Sequence, residues 1–299
     1  MGLLIVGTGA LACLFAARLA GSGNEVTMLG SWQEGLTALR ERGVRLLDMN
    51  GSLHQYPVKV TIGTDTRGKF NQALVLVKSW QTERVARRLE RRLTKTGIAL
   101  TLQNGFGNYE TLEKVLGQEK VALGVTTVAA RMLEPGYVQH TGEGKVTIGL
   151  HPQLGGLGEL LNRAGFQVEM VPDPKSLLWG KLVINAAINP LTALLRVPNG
   201  ELMSRPAARE LMSEAACEAA MVASRQGITL PYTDPVNAVE NVARNTAINT
   251  SSMLQDVLRG TPTEIDAING AIIRVGEALG VPTPVNRILW RLVRALENQ

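Results

Sequence analysis

The stretch Trp179–Leu195, WGKLVINAAINPLTALL, sets Lys181, Asn185 and Asn189 among leucine, valine, isoleucine and alanine. Successive helical residues turn by about 100°, so positions four apart share one stripe that drifts by about 40° per step. An ammonium group in a buried cleft loses proton affinity, which makes it a better acid near neutral pH. Amides beside it would be neutral hydrogen-bond partners. The alternative is structural: the lysine reaches out to solvent and the asparagines cap nearby backbone. Pro190 follows Asn189 directly and lacks the N–H that helix continuation needs. A bend or loosening is expected there, freeing a carbonyl near Ala186 and opening space beside the stripe.

Two further stretches carry polar groups at useful spacing. NTSSMLQD (249–256) places small polar side chains just before Met253 and Leu254. PTEIDAINGAI (262–272) brings Glu264, Asp266 and Asn269 onto an expected helix whose apolar face is Ile265, Ile268 and Ile272. Alone, both read more readily as helix caps and solvated acids than as a site.

Near the N-terminus, Gly7-Thr8-Gly9-Ala10-Leu11-Ala12 follows an apolar strand and opens a helix. This is G-x-G-x-x-A, a form of the dinucleotide-binding turn. Gly7 permits the turn, Gly9 lets a pyrophosphate approach the backbone, and Ala12 keeps the helix near the strand. The helix N-terminus offers N–H groups and partial positive charge to the phosphates. An enzyme using NAD usually has an acid at the end of the second strand for the ribose hydroxyls. Here that strand ends MLGSW, with no acid before Glu34. The residues SWQE (31–34) fit a capping box in which Ser31 starts the next helix and turns its N–H groups to a 2′-phosphate. NADP is therefore the expected cofactor.

The elements that must position these groups alternate in the first half. Strand-like LLIVG (3–7), EVTML (25–29), ALVLVK (73–78) and IALTLQNG (98–105) are separated by helical stretches near 10–20, 32–42, 82–94 and 108–117. Asn50-Gly51 marks a hairpin, and segments near 121–130, 137–141 and 145–149 suggest that the sheet ends in antiparallel strands. From VPDPK (171–175) onward the pattern is helical throughout, broken at Gly200, Pro206, Pro231, Pro235 and Pro282. The expected class is α/β: an N-terminal Rossmann-type doubly wound sheet over 1–172, then an all-α C-terminal domain over 173–299.

Composition excludes several alternatives. The 299 residues are 45% hydrophobic and 19% charged, with a net charge of +5, as in an ordinary globular protein. The basic run RVARRLERRLTK (84–95) lacks interleaved aromatics, and Val85, Leu89 and Leu93 fall on one helical side, so it reads as a solvated helix face and not a nucleic-acid surface. Two cysteines far apart and three scattered histidines suggest neither a disulfide framework nor a metal site. The apolar N-terminus lacks a basic leader, and no apolar run reaches the roughly 20 residues that span a bilayer. The expectation is a cytoplasmic protein with no membrane or nucleic-acid partner.

Taken in order, GTGALA, VKSW (77–80), QNGFGN (103–108), KLVINAAINPLTAL (181–194), NTSSMLQD and TEIDAINGAI resemble the ketopantoate reductase family, over nearly the whole chain. The resemblance implies reduction of ketopantoate (2-dehydropantoate) to (R)-pantoate by NADPH, on the route to pantothenate. It implies that Lys181 is the general acid, that Glu264 holds the substrate hydroxyl near that lysine, and that Asn104 orients the lysine and the nicotinamide side. Asn185, Asn189, Asn249 and Ser252 fall on substrate-binding positions, Ser252 on the substrate carboxylate, and Lys78 falls near the cofactor. Several members carry an arginine just after the second strand to grip the 2′-phosphate; Gly30-Ser31 stand there in this chain, implying a smaller margin of NADPH over NADH. A related reductase of another 2-oxo acid, or a non-catalytic NADP-binding regulator, would share much of this pattern. A homodimer is compatible with all three.

Overall fold

The computed structural model describes residues 2–62 and 70–297, which form two compact units. The first comprises Met1–Gln103 and Asn108–Pro174; the second comprises Lys175–Gln299 together with the short insert Asn104–Gly107.

The first unit begins β1 (Leu3–Val6), α1 (Ala10–Gly21), β2 (Val26–Leu29), α2 (Gln33–Arg42), β3 (Val44–Leu47), β4 (Leu53–Tyr56), β5 (Lys59–Thr61) and β6 (Phe70–Val75). It continues through α3 (Thr82–Glu90), β7 (Leu93–Thr101), α4 (Asn108–Leu116), β8 (Val121–Thr126), β9 (Ala129–Glu134), β10 (Tyr137–Gly142), β11 (Lys145–Gly149), α5 (Leu157–Arg163) and β12 (Gln167–Val171). The main sheet runs β12-β11-β8-β7-β6-β1-β2-β5 and is parallel except where β11 lies antiparallel to β8. Alternation in β1 explains why both faces are covered: Leu3 and Ile5 pack with α1, while Leu4 and Val6 pack with Val85, Leu89, Leu112 and Leu116 of α3 and α4.

The strands of the first unit depart from the sequence reading in two places. β9 and β10 do not extend the main sheet; with β3 and β4 they form a second one, ordered β4-β3-β10-β9. Its Val44, Leu46, Met132 and Val138 share a core with α1, which explains why α1 is apolar nearly all round. The basic helix also ends early. It stops at Glu90, and Leu93 starts β7 opposite Phe70, because threonines at 94 and 96 and a ladder partner favour strand. The expected hairpin forms at Asn50-Gly51, where the Asp48 carboxylate accepts from the N–H groups of Asn50 and Ser52.

The second unit is helical: α6 (Lys175–Leu195), α7 (Pro206–Arg225), α8 (Pro235–Asn245), α9 (Ser252–Leu258), α10 (Asn269–Leu279) and α11 (Pro284–Glu297). Prolines 206, 235 and 284 stand at helix starts, where a missing N–H costs nothing, and Asp234 caps α8 by accepting from Val236 and Asn237 N–H. By length and composition α6 could cross a membrane, contrary to the sequence estimate, but its Trp179, Leu182, Val183, Ala186 and Ala187 instead form the core of this unit.

Pro190 lies inside α6 without ending it. The carbonyl it leaves without a helical donor is that of Ala186, and the side chain of Asn269 donates to it at 3.0 Å. Asn269 also donates to Asn286 Oδ1, and Asn286 in turn donates to the Ala215 carbonyl and to Glu218. Both asparagines are fully buried. The gap that Pro190 leaves in the hydrogen bonding of a core helix is thus filled by amides from α10 and α11.

Removing that donor should be costly, because a buried carbonyl left without a partner loses about 1–3 kcal/mol. Asn269→Ala is expected to lower Tm by roughly 2–10 °C. Pro190→Ala restores a helical N–H for Ala186, so in that background Asn269→Ala should cost distinctly less. Additive losses in thermal melts of the four variants would show that the two residues are not coupled.

Candidate active site

In the first unit the turn after β1 is built as a cradle. Gly7 has φ +136°, and a Cβ there would stand 2.8 Å from the Leu76 carbonyl and 3.2 Å from Ala12 Cβ. Its N–H donates to Leu29, so the turn is pinned to β2. Gly9 precedes α1 with no side-chain cap, and a Cβ built on it meets nothing within 4 Å. Thr8 and Ala12 are buried, whereas Ala10 and Leu11 are partly open. An uncapped helix start behind an exposed glycine suits a pyrophosphate: backbone N–H groups face the open side.

At the end of β2 the expected capping box is absent. α2 starts at Gln33 after Trp32, and no side chain caps it. Ser31 Oγ instead accepts from Nη2 of Arg84, on α3, at 3.0 Å. Trp32, not Ser31, takes the N-cap position, and the Ser31 hydroxyl holds a guanidinium from a distant part of the chain. Lys78 is half-buried just before α3.

In the second unit the polar stripe of α6 meets the insert 104–107. Asn104 Oδ1 accepts from Lys181 Nζ at 2.6 Å. Burial lowers the Lys181 pKa from the ordinary lysine value to about 8, and the Glu264 carboxylate partly offsets this by favouring the charged form. Glu264 is itself buried, at 5% exposure. Asn185 is half-buried and Asn189 buried, and among the described residues neither amide has a hydrogen-bond partner. The stripe therefore combines an ammonium poised to lose its proton with two amides available to a ligand.

The insert is held by backbone. Phe106 N–H donates to the Ala267 carbonyl at 2.8 Å, and the Phe106 ring tilts against Trp179 at 5.2 Å. Gly105, at φ +84°, passes so close that a Cβ would lie 2.7 Å from that same carbonyl. This contact also corrects the helix expected over 262–272. α10 starts only at Asn269, and Glu264 to Ile268 form turns, because the Ala267 carbonyl faces the insert instead of a helical N–H. Glu264 consequently projects from a turn. Asp266 faces elsewhere, accepting from Trp290 Nε1 and pairing with Arg294.

Ser251, not Ser252, caps α9: its Oγ accepts from Leu254 N–H and lies 2.7 Å from the Thr192 hydroxyl. Ser252 is left exposed on the first turn, and Asn249 is exposed three residues earlier. The roles of Gly105 and Phe106 escaped the sequence reading, although the paired glycines of QNGFGN mark a backbone that must pass close to something.

Comparison with known proteins fits this geometry. Residues 3–153 match the family described as "Ketopantoate reductase PanE/ApbA", and residues 173–297 match "Ketopantoate reductase PanE/ApbA C terminal". A 2-dehydropantoate 2-reductase of Archaeoglobus fulgidus is 38% identical, over 98% of this chain and 97% of that protein. The structure of a PanE/ApbA family ketopantoate reductase from Ralstonia eutropha JMP134 superposes with a TM-score of 0.92 at 34% identity, covering 100% and 99% of the two chains. The ternary structure of D-mandelate dehydrogenase with NADH and anilino(oxo)acetate superposes with a TM-score of 0.93 at 27% identity, again over 100% and 99%. With both of its units matched and relatives aligned end to end, the chain belongs to the ketopantoate reductase family.

Proposed function

We propose that this chain reduces 2-dehydropantoate to (R)-pantoate with NADPH, a step of pantothenate biosynthesis, in the cytoplasm. The observation that carries the reading is Lys181: a lysine brought to a pKa of about 8, aimed by Asn104 and backed by a buried carboxylate. An ammonium in that state holds its proton at neutral pH yet gives it up readily, which is what reduction of a ketone requires.

The cradle of Gly7, Thr8, Gly9, Ala10, Leu11 and Ala12 fits a dinucleotide pyrophosphate, with Lys78 and Ser31 as further contacts. When bound, the nicotinamide supplies a hydride to the carbonyl carbon. Lys181 Nζ donates its proton to the ketone oxygen, so the C=O bond gains one hydride and one proton and becomes CH–OH. Asn104 fixes the direction of the ammonium. Glu264 keeps it protonated and accepts from the substrate hydroxyl. Asn185, Asn189 and Asn249 are neutral donors and acceptors that hold an anionic substrate without altering the charge on the lysine. Ser252, with its hydroxyl left over from capping, donates to the substrate carboxylate.

A second reading has an observation of its own. D-mandelate dehydrogenase, in ternary complex with NADH and anilino(oxo)acetate, shares the fold end to end, which favours as a second reading a reductase of a different 2-oxo acid that uses the same acid and amides. NADPH oxidation by the purified protein across several 2-oxo acids separates the two, and no oxidation with any of them would leave a non-catalytic NADP-binding protein.

Lys181→Ala should lower kcat by about 10²- to 10⁴-fold with NADPH affinity nearly intact; a variant keeping a tenth of wild-type kcat removes Lys181 as the acid. The acid must be protonated, and burial lowers its pKa, so kcat/KM for reduction should fall as pH rises through about 8. Glu264→Gln removes the charge that raises that pKa and should move the falling limb to lower pH; an unmoved limb rejects the pairing. Ser252→Ala should raise KM for 2-dehydropantoate about 10- to 150-fold, the loss of a hydrogen bond to a charged group, while KM for NADPH stays put.

A further inference from the structure

We infer that Arg84 is the residue that selects NADPH over NADH, its guanidinium binding the 2′-phosphate at the end of β2 from the neighbouring helix α3. The inference rests on the proposed reading of the first unit as a nicotinamide dinucleotide site. In such folds the group that distinguishes a ribose hydroxyl from a ribose phosphate stands at the end of the second strand. Two residues occupy that place here, and neither carries charge.

Residue 30 is closed to an arginine. A Cβ on Gly30 would stand 2.5 Å from Thr8 Cγ2, 3.1 Å from Thr8 Oγ1 and 3.3 Å from Leu36 Cδ2, and Thr8 is buried beneath the cradle. A side chain there would push into the turn that receives the pyrophosphate. Residue 31 is a serine, and its hydroxyl holds the Arg84 guanidinium at 3.0 Å. The position that reads the ribose is thus supplied with positive charge from another element.

Arg84 is suited to the task. One of its N–H groups is committed to Ser31, and the planar fork has four more for phosphate oxygens. α3 is anchored through buried Val85, Ala86 and Leu89, which leaves Arg84 exposed on a fixed backbone. The adjacent carboxylate, Glu83, is engaged by Arg87 at 2.6 Å, so it does not neutralise the Arg84 charge. The basic run that reads as a solvated face therefore has one member drawn to the nucleotide side.

The test is direct binding to the full chain, by calorimetry, of NADPH, NADH, adenosine 2′,5′-bisphosphate and AMP, with folding of each variant checked by circular dichroism. Arg84→Ala should weaken NADPH and adenosine 2′,5′-bisphosphate by about tenfold or more, the loss of charge-assisted hydrogen bonds, and should change NADH and AMP by less than about twofold. Arg91→Ala, which removes a charge from the far end of the same helix without touching Ser31 or the Glu83–Arg87 pair, should leave all four within about twofold. Ser31→Asp sets a carboxylate against the guanidinium and should narrow or reverse the preference. Equal weakening of NADPH and NADH by Arg84→Ala, or no weakening of NADPH, would overturn the assignment while the dinucleotide reading stands. A wild-type chain that binds neither dinucleotide would overturn that reading itself, and this inference with it.

Discussion

A lysine ammonium taken out of water is tolerated only where something nearby replaces its hydration, and the helical unit is arranged around that demand. Lys181 has the Asn104 carbonyl oxygen at 2.6 Å and the Glu264 carboxylate close enough to raise its pKa against desolvation. Asn104 comes from a part of the chain otherwise built into the sheet. It reaches the lysine because Gly105 and Phe106 press against Ala267. That same contact delays α10 to Asn269 and leaves Glu264 on a turn. One pairing of backbone groups, Phe106 N–H with the Ala267 carbonyl, thus helps to place both Asn104 and Glu264 beside the lysine.

The helix bearing the lysine has its own constraint. Pro190 follows the last amide of the stripe, and the carbonyl it releases would be an orphan in a core of alanine, leucine and valine. Asn269 and Asn286 answer it with side-chain amides. A polar chain through an apolar core is a demanding solution, and it leaves the buried Asn269 Oδ1 without a partner among the described residues, but it links α6, α7, α10 and α11. The helix carrying Lys181 is thereby held at the turn where its own hydrogen bonding is interrupted.

The nucleotide unit divides its work differently. Its cradle is almost all backbone: a positive φ that glycine alone adopts readily, an open glycine, and an uncapped helix start. Backbone recognises phosphate without regard to which nicotinamide dinucleotide carries it. Selectivity falls to side chains near β2, and steric closure at Gly30 shifts that role away from the strand to a partner helix.

Local pattern accounts for what was legible in the sequence. The G-x-G-x-x-A turn, the period of the strands, the switch to helix after Pro174 and the stripe Lys181-Asn185-Asn189 all depend on residues close together in the chain, where geometry follows from spacing. The family resemblance added Asn104, Glu264 and Ser252, whose types alone say little. Tertiary structure decided the rest. Val44, Leu46 and Val138 join in a second sheet over α1, Asn269 meets the carbonyl opposite Pro190, and Arg84 lies beside Ser31. Each of these pairs lies far apart in sequence and is matched by a need, an uncovered apolar face, a donorless carbonyl or a missing charge, that spacing reveals only on one side. The sequence shows which groups want partners; the fold decides which distant residue supplies them.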